Sequence, residues 1–335
     1  MTLDAYRAAR DRGTAWLLSQ VNADGSIGPT DRDFLYYRLP WTFTITGHTD
    51  AALRLCAWVR EHQFADNGDF TGVTPRQVEA NAYQNATFIY GAQMLRQYDL
   101  SYQGWQHLRT RQDRRSGGFT HLANGSGIAA DENIPTVAQV GKAALMMGDM
   151  EAAQAAGGWF QMLWDLQPAL PDRLFYVFNA ETQSLVTEFP PERAFHYVIE
   201  NQQPRQRFTC GGIAAAFLVR LYQATGDNDH LDLARSYMDH SMAATERQFE
   251  VSQVCKAGWG SALVYQVTGE SRYRDFTRRV ADYFVGDQQP DGHWQDSGPY
   301  GHAPHINIMV TAEFVMILDT MIASLSVQPV SATLE

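Results

Sequence analysis

Two kinds of apolar pattern alternate along the chain. Segments near 4–20, 49–64, 100–113, 149–167, 229–245 and 270–286 carry apolar side chains on one helical face and charges on the other. Between them, segments near 34–46, 77–98, 132–147, 208–225, 252–268 and 304–325 are apolar nearly all round. A helix of the first kind can face water, whereas one of the second must be buried. Twelve helices in this order predict an inner ring inside an outer one, an all-α (α/α)6 toroid of six helical hairpins. A linear solenoid fits less well, because neither terminal pair reads as a polar cap.

Breaks in the pattern are of two sorts. One follows the amphipathic segments: Gln20 to Ser26, Asp66-Asn67-Gly68-Asp69-Phe70, Ser116-Gly117-Gly118-Phe119 and Gln288 through Trp294. Each puts glycine where a helix must stop, then an apolar residue that can fold back onto the helix end. The other follows the apolar segments, at Gly47, Gly148, Gly226 and Gly269, where a hydroxyl or acidic residue stands ready to cap the next helix. One unit departs from the repeat. Residues 168–207 lack a helical pattern, and the aromatic and β-branched runs around Asn179–Gln183 predict a β-hairpin near 173–189. This insertion reads as a lid over one mouth of the ring. The whole reads as one domain, 1–326, with 327–335 as a tail.

Composition narrows the function. At 45% hydrophobic and 19% charged residues, the chain has the balance of a soluble globule. A net charge of -11 with no basic run excludes nucleic acid as a steered partner. The three cysteines, Cys56, Cys210 and Cys255, are far apart, and no CxxC pair marks a disulfide framework or zinc ribbon. Neither a signal core nor a membrane-spanning apolar run is evident, so a cytoplasmic location is expected. A small-molecule substrate is the expected partner, and neither cofactor nor metal is called for.

The segment Ala15 to Gln20 with Asp24-Gly25-Ser26, and above all Gln288 through Trp294, resembles the QxxDGxW repeat of squalene-hopene cyclases. That resemblance implies the α/α-toroid shared by terpenoid cyclases and protein prenyltransferase β subunits. The DxDD and DDxxD motifs of the terpenoid enzymes are missing. Cys255 and His305 fall roughly where prenyltransferases hold zinc, but Gln253 stands where their aspartate is expected. A second resemblance, through Trp259-Gly260-Ser261-Ala262-Leu263, Thr268 to Tyr273 and Val280 to Phe284, is to (α/α)6 unsaturated-uronyl hydrolases. It implies a single catalytic aspartate at the start of an inner helix.

In such a ring the N-terminal ends of the inner helices converge on one mouth and favour anionic or polar groups. Tyr37, Arg38 and Trp41 lie there on one helical side, with Arg38 alternatively paired to Asp31 or Asp33. Glu79 and Tyr83 share a face one turn apart. Of the adjacent acids Asp131 and Glu132, one is expected to cap the helix before Pro135 and the other to face the cavity as a general acid or base. His196 and Glu200 would pair at helical spacing after the insertion. Lys256, in a helix of small and apolar residues, needs a counter-charge, with Glu79 and Glu313 as candidates. Trp259 joins the aromatic wall, and Glu313 should have a raised pKa unless paired. His305 completes the set. Asp131, Glu132, His196, Lys256 and His305 are the catalytic candidates. Tyr37, Arg38, Trp41, Glu79, Tyr83, Glu200, Trp259 and Glu313 are the substrate-binding ones.

Three readings follow. The leading one is a terpenoid-cyclase-like cyclase, isomerase or lyase working by acid–base catalysis, with aromatic walls for cationic charge. The second is a hydrolase or lyase on an acidic or unsaturated sugar. The third is a ligand-binding ring without catalysis.

Overall fold

The computed structural model describes residues 1–30, 35–70, 78–123, 125–297 and 303–327, and only the backbone of Val78, Glu79 and Pro304. Twelve α-helices are described. The first six are α1 (Leu3–Ser19), α2 (Leu39–Ile45), α3 (Thr49–His62), α4 (Val78–Met94), α5 (Tyr98–Arg109) and α6 (Ile134–Met147). The rest are α7 (Met150–Asp165), α8 (Thr209–Thr225), α9 (Asn228–Met242), α10 (Cys255–Thr268), α11 (Ser271–Asp287) and α12 (Pro304–Ser326). Even-numbered helices form the inner ring: each packs on the next, and α12 packs back on α2 to close it. The fold is therefore an all-α (α/α) toroid, as the hydrophobic pattern requires.

Hairpin pairing is offset by one helix from the order in which the pattern reads. Each outer helix packs chiefly on the inner helix before it, α3 on α2 and α9 on α8 for example, while α1 docks on α12. The cause is the short glycine turns. Gly148 and Gly226 end α6 and α8 in the left-handed conformation, and the side chains of Asp149 and Asp227 then cap α7 and α9. Such connections leave no length for anything but an antiparallel neighbour.

The other breaks staple the outer ring. At Gly117 the backbone has φ 83°, and an added Cβ would lie 2.4 Å from the carbonyl oxygen of Ala155 on α7. Only glycine satisfies both demands. Gln112 Nε2 bridges the gap, donating to the carbonyls of Gly117 (2.9 Å) and of Ala152 on α7 (3.0 Å). Gln288 repeats the geometry at the seam, bonding Gly292 and Ala9 on α1 at 2.8 Å each. After it Trp294 folds inward, fully buried, with its indole donating to the Phe284 carbonyl at 2.7 Å.

Three boundaries differ from expectation for local reasons. The helix expected from 34 begins at Leu39, with Pro40 in its first turn, where a missing N–H costs nothing. The helix expected from 132 begins at 134, because strand β1 (Asp131–Asn133) precedes it. The insertion is not one hairpin but two small sheets. Strand β2 (Arg173–Phe175) pairs with β5 (Val198–Glu200), while β3 (Val177–Asn179) lies between β1 and β4 (Ser184–Leu185). Tyr176, buried between β2 and β3, is the point where the chain passes from one sheet to the other. By length and composition alone His305–Ser326 could cross a membrane, contrary to the expectation that no segment could. Its place in the ring, against α1, α2 and α10, accounts for its apolarity.

The tightest inner contact is between α8 and α10. A Cβ added to Gly212 would fall 2.0 Å from the Lys256 carbonyl oxygen. Gly212→Ala must force the two backbones apart, and overpacking of this kind costs about 1–3 kcal/mol or more. Urea unfolding should show that loss; an unchanged midpoint would contradict the contact.

Candidate active site

The N-terminal ends of the inner helices surround a cavity of about 180 Å³. Tyr37 and Arg38 come from the turn before α2, Tyr83 and Gln84 from α4, Asn133 and Thr136 from the start of α6. Thr209 opens α8, Cys255 and Lys256 open α10, and Met309 and Glu313 descend from α12. The last turn of the insertion contributes Arg207, and the loop before α12 contributes Asp296. Converging helix N-termini add partial positive charge at this mouth.

Glu313 is the hub. Arg38 Nη2 lies 3.0 Å from its Oε2, and Lys256 Nζ donates to its Oε1 at 2.5 Å. All three residues are less than 10% exposed, so each charge relies on the others rather than on water. Burial alone would raise the Glu313 pKa, but the two cations hold it below the usual carboxylate value. Burial would likewise lower that of Lys256, and Glu313 reverses the sign. Glu313 is thus a fixed anion, the paired alternative that the sequence left open for it, with Lys256 as one partner. The triad carries one positive charge in excess. Arg38 Nε and Gln84 Oε1 are buried with no protein partner among the described residues, leaving one donor and one acceptor unmatched.

One or two turns deeper on the same helices the ring is plugged. Trp41 stacks on Tyr90 with ring centroids 4.3 Å apart, and Trp259 meets Trp41 edge-on at 5.8 Å. Lys142 Nζ sits among them, 3.5 Å from the Trp259 centroid and 4.7 Å from that of Trp41. Trp41 and Trp259 therefore form the floor under the cavity rather than its lining.

The remaining expected site residues lie elsewhere. Neither Asp131 nor Glu132 faces the central cavity, and Asn133 is the cap of α6, accepting from the Thr136 N–H at 2.9 Å. Asp131 accepts from Asn179 Nδ2 at 2.8 Å, beside a separate groove under the insertion. Strand alternation turns Glu132 the opposite way, into the wall, where Ser116 Oγ (2.8 Å) and Trp159 Nε1 (2.7 Å) donate to it. His196 and Glu200 do not form a helical pair. His196 ends a short 3-10 turn, and Glu200, in β5, meets Arg173 at 3.0 Å across the sheet. His305, half-buried in the first turn of α12, is not among the cavity residues. The Glu79 side chain lies outside the described residues, as do Asp31 and Asp33.

Glu132 has a thermodynamic signature. Burial pushes its pKa from 4.5 up to about 8, the Ser116 and Trp159 hydrogen bonds offsetting only part. A carboxyl whose pKa rises on folding stabilises the native state while protonated. That contribution is complete below about pH 4.5 and is lost as pH rises through about 8. Glu132→Gln, which keeps the neutral shape, should flatten the fall in unfolding free energy over this window. An equal slope in both proteins would refute the assignment.

Sequence reasoning missed Lys142, Arg207 and Asp296. Lys142 was findable by the argument that singled out Lys256, since Val140-Gly141-Lys142-Ala143-Ala144 is also a lysine in an apolar helix. Asp296, 1% exposed and accepting from Ser252 Oγ at 2.5 Å, follows Trp294 in a loop with no pattern to distinguish it.

No family model and no curated protein matches this sequence. Solved structures match its fold. A D-mannose isomerase superposes with a TM-score of 0.69 at 11% identity, over 95% of this chain and 97% of that one. A family 76 α-1,6-mannanase of Salegentibacter sp. HEL1_6, in complex with α-1,6-mannotetrose, gives 0.66 at 11% identity over 95% and 99%. A type II terpene cyclase of Scytonema, with merosterolic acid A, gives 0.60 at 13% over 96% and 98%. The chain is similar to all three in architecture, and at these identities the likeness defines the fold alone.

Proposed function

We propose that this protein is an acid–base enzyme acting on a single small sugar, an acidic one by preference, in the central cavity. The observation that carries the reading is the cavity itself: sugar-sized, walled by charges, and holding a donor and an acceptor, Arg38 Nε and Gln84 Oε1, that are unmatched among the described residues. Cavities for drug-sized ligands run to about 300–1,000 Å³. At about 180 Å³ this one admits one ring and leaves no room for a polyprenyl chain. The aromatic cage that would steady a carbocation is filled by the side-chain nitrogen of Lys142. Both facts weigh against cyclisation of a terpenoid. Two of the similar folds, by their descriptions, handle mannose or mannan.

The chemistry follows from the two described carboxylates of the cavity. Glu313 is neutralised by two cations and orients them, which leaves Asp296, whose carboxylate accepts from Ser252 Oγ, as the base of the proposed reaction. Asp296 takes the proton from the carbon beside the sugar's carbonyl group. Arg38 and Lys256 stabilise the negative charge that develops on the carbonyl oxygen. Return of the proton at the former carbonyl carbon, with the hydroxyl proton of the deprotonated carbon passing to the original carbonyl oxygen, gives an isomer. Loss of a leaving group from the carbon on the other side, with its bonding electrons, gives an elimination product. The test is a panel of neutral and acidic monosaccharides followed by NMR for binding and conversion. Turnover or saturable binding of one class, lost in Arg38→Ala, is expected. Conversion of polyprenyl substrates with no response to any sugar would overturn the reading.

A further inference from the structure

The chain has twenty-four arginines but only two lysines, Lys142 and Lys256. Its outer surface is served by arginine throughout, and both lysines are buried on inner helices. Their surroundings differ. Lys256 is locked to Glu313, whereas Lys142 has no carboxylate within ion-pair distance among the described residues and touches only Gln139 Oε1, at 3.1 Å, and aromatic faces. Lys142 and Tyr90 also close the inner end of a second cavity, of about 200 Å³, at the opposite mouth of the ring. Leu145 and Met146 form its apolar sides, and the exposed Arg220 stands at its rim.

We infer that this second cavity is a reactive-amine site, in which Lys142 forms an imine with a small 2-oxo acid whose carboxylate is held by Arg220. Arginine recognises a carboxylate by a paired, charge-assisted fork, and the apolar sides suit a short carbon chain. An arginine could not replace Lys142, because guanidinium does not become a free amine in proteins. A lysine that is desolvated and set near other cations gives up its proton, the condition for a nucleophilic amine. Burial, then Arg220, then Lys256, shifts Lys142 in that direction, well below the ordinary lysine value. In the step, Nζ adds to the carbonyl carbon and the C=O π electrons move to oxygen. The nitrogen passes one proton to that oxygen and so regains its lone pair. A proton from solvent then converts the carbinolamine hydroxyl to water, which departs as the lone pair forms the C=N bond. No oxidant or reductant is consumed.

The sequence makes the experiment clean, since the amines are Lys142, Lys256 and the chain's α-amino group. The intact protein is incubated with pyruvate and cyanoborohydride, and the adduct is located by peptide mass spectrometry. One reduced adduct per chain at Lys142 is expected, none there in Lys142→Met. The exposed Arg220→Gln variant, which should fold normally, is expected to slow trapping about tenfold or more, the worth of one charged hydrogen bond. Adduct confined to Lys256 or the α-amino group, no adduct at all, or an unchanged rate in Arg220→Gln would each overturn the inference.

Discussion

Glu313→Ala should lower the unfolding free energy by about 3–5 kcal/mol, because it leaves two buried cations facing each other without their anion. Arg38 and Lys256 are both nearly inaccessible, so the few waters the cavity can hold replace the carboxylate poorly. Chemical denaturation of the two proteins in parallel reads this directly. A triple replacement, Arg38→Met with Lys256→Met and Glu313→Leu, should recover most of the loss, since buried ion networks contribute little net stability over apolar packing. That variant should nevertheless be inert towards substrate. Stability and function would thus be separated at one site. A loss below about 1 kcal/mol in Glu313→Ala, the size typical of an exposed pair, would mean that the triad is not sealed from water.

Asp296→Asn should reduce kcat by about 10²–10⁴-fold while leaving KM within a few-fold, the pattern of a lost general base. Asparagine keeps an oxygen for the Ser252 hydroxyl, so folding should be undisturbed. The comparison needs the substrate identified by the monosaccharide panel, and stopped assays at saturating concentration suffice. An unchanged kcat would remove Asp296 from the mechanism. An effect on KM alone would make it a binding group.

The scaffold was largely legible in the sequence because burial imposes a period. Every inner helix, from Leu39–Ile45 to Pro304–Ser326, is apolar on more than one face, and each glycine break marks a turn that the backbone could make in few other ways. Pairing order was not legible, since periodicity reports which face is buried and says nothing of the neighbour that buries it. The site divides in the same way. Lys256 and Glu313 betrayed themselves as charges in apolar runs, Arg38 by sharing a helical side with Tyr37 and Trp41, and the three meet in one cluster. Asp131 and Glu132 misled, because a three-residue strand turned one acid to the insertion and the other into the wall against Trp159. Asp296 gave no signal, its importance lying in a loop position that only the closed ring defines.

The aromatic plug beneath the cavity has a kinetic consequence. Among the described residues, Trp41, Tyr90 and Trp259 lie across the ring's axis between the central cavity and the one at the opposite mouth. On the proposed function, substrate and product of the central cavity would share one doorway. Each turnover would then empty the site before the next molecule enters, and product should compete with substrate in simple, mutually exclusive fashion.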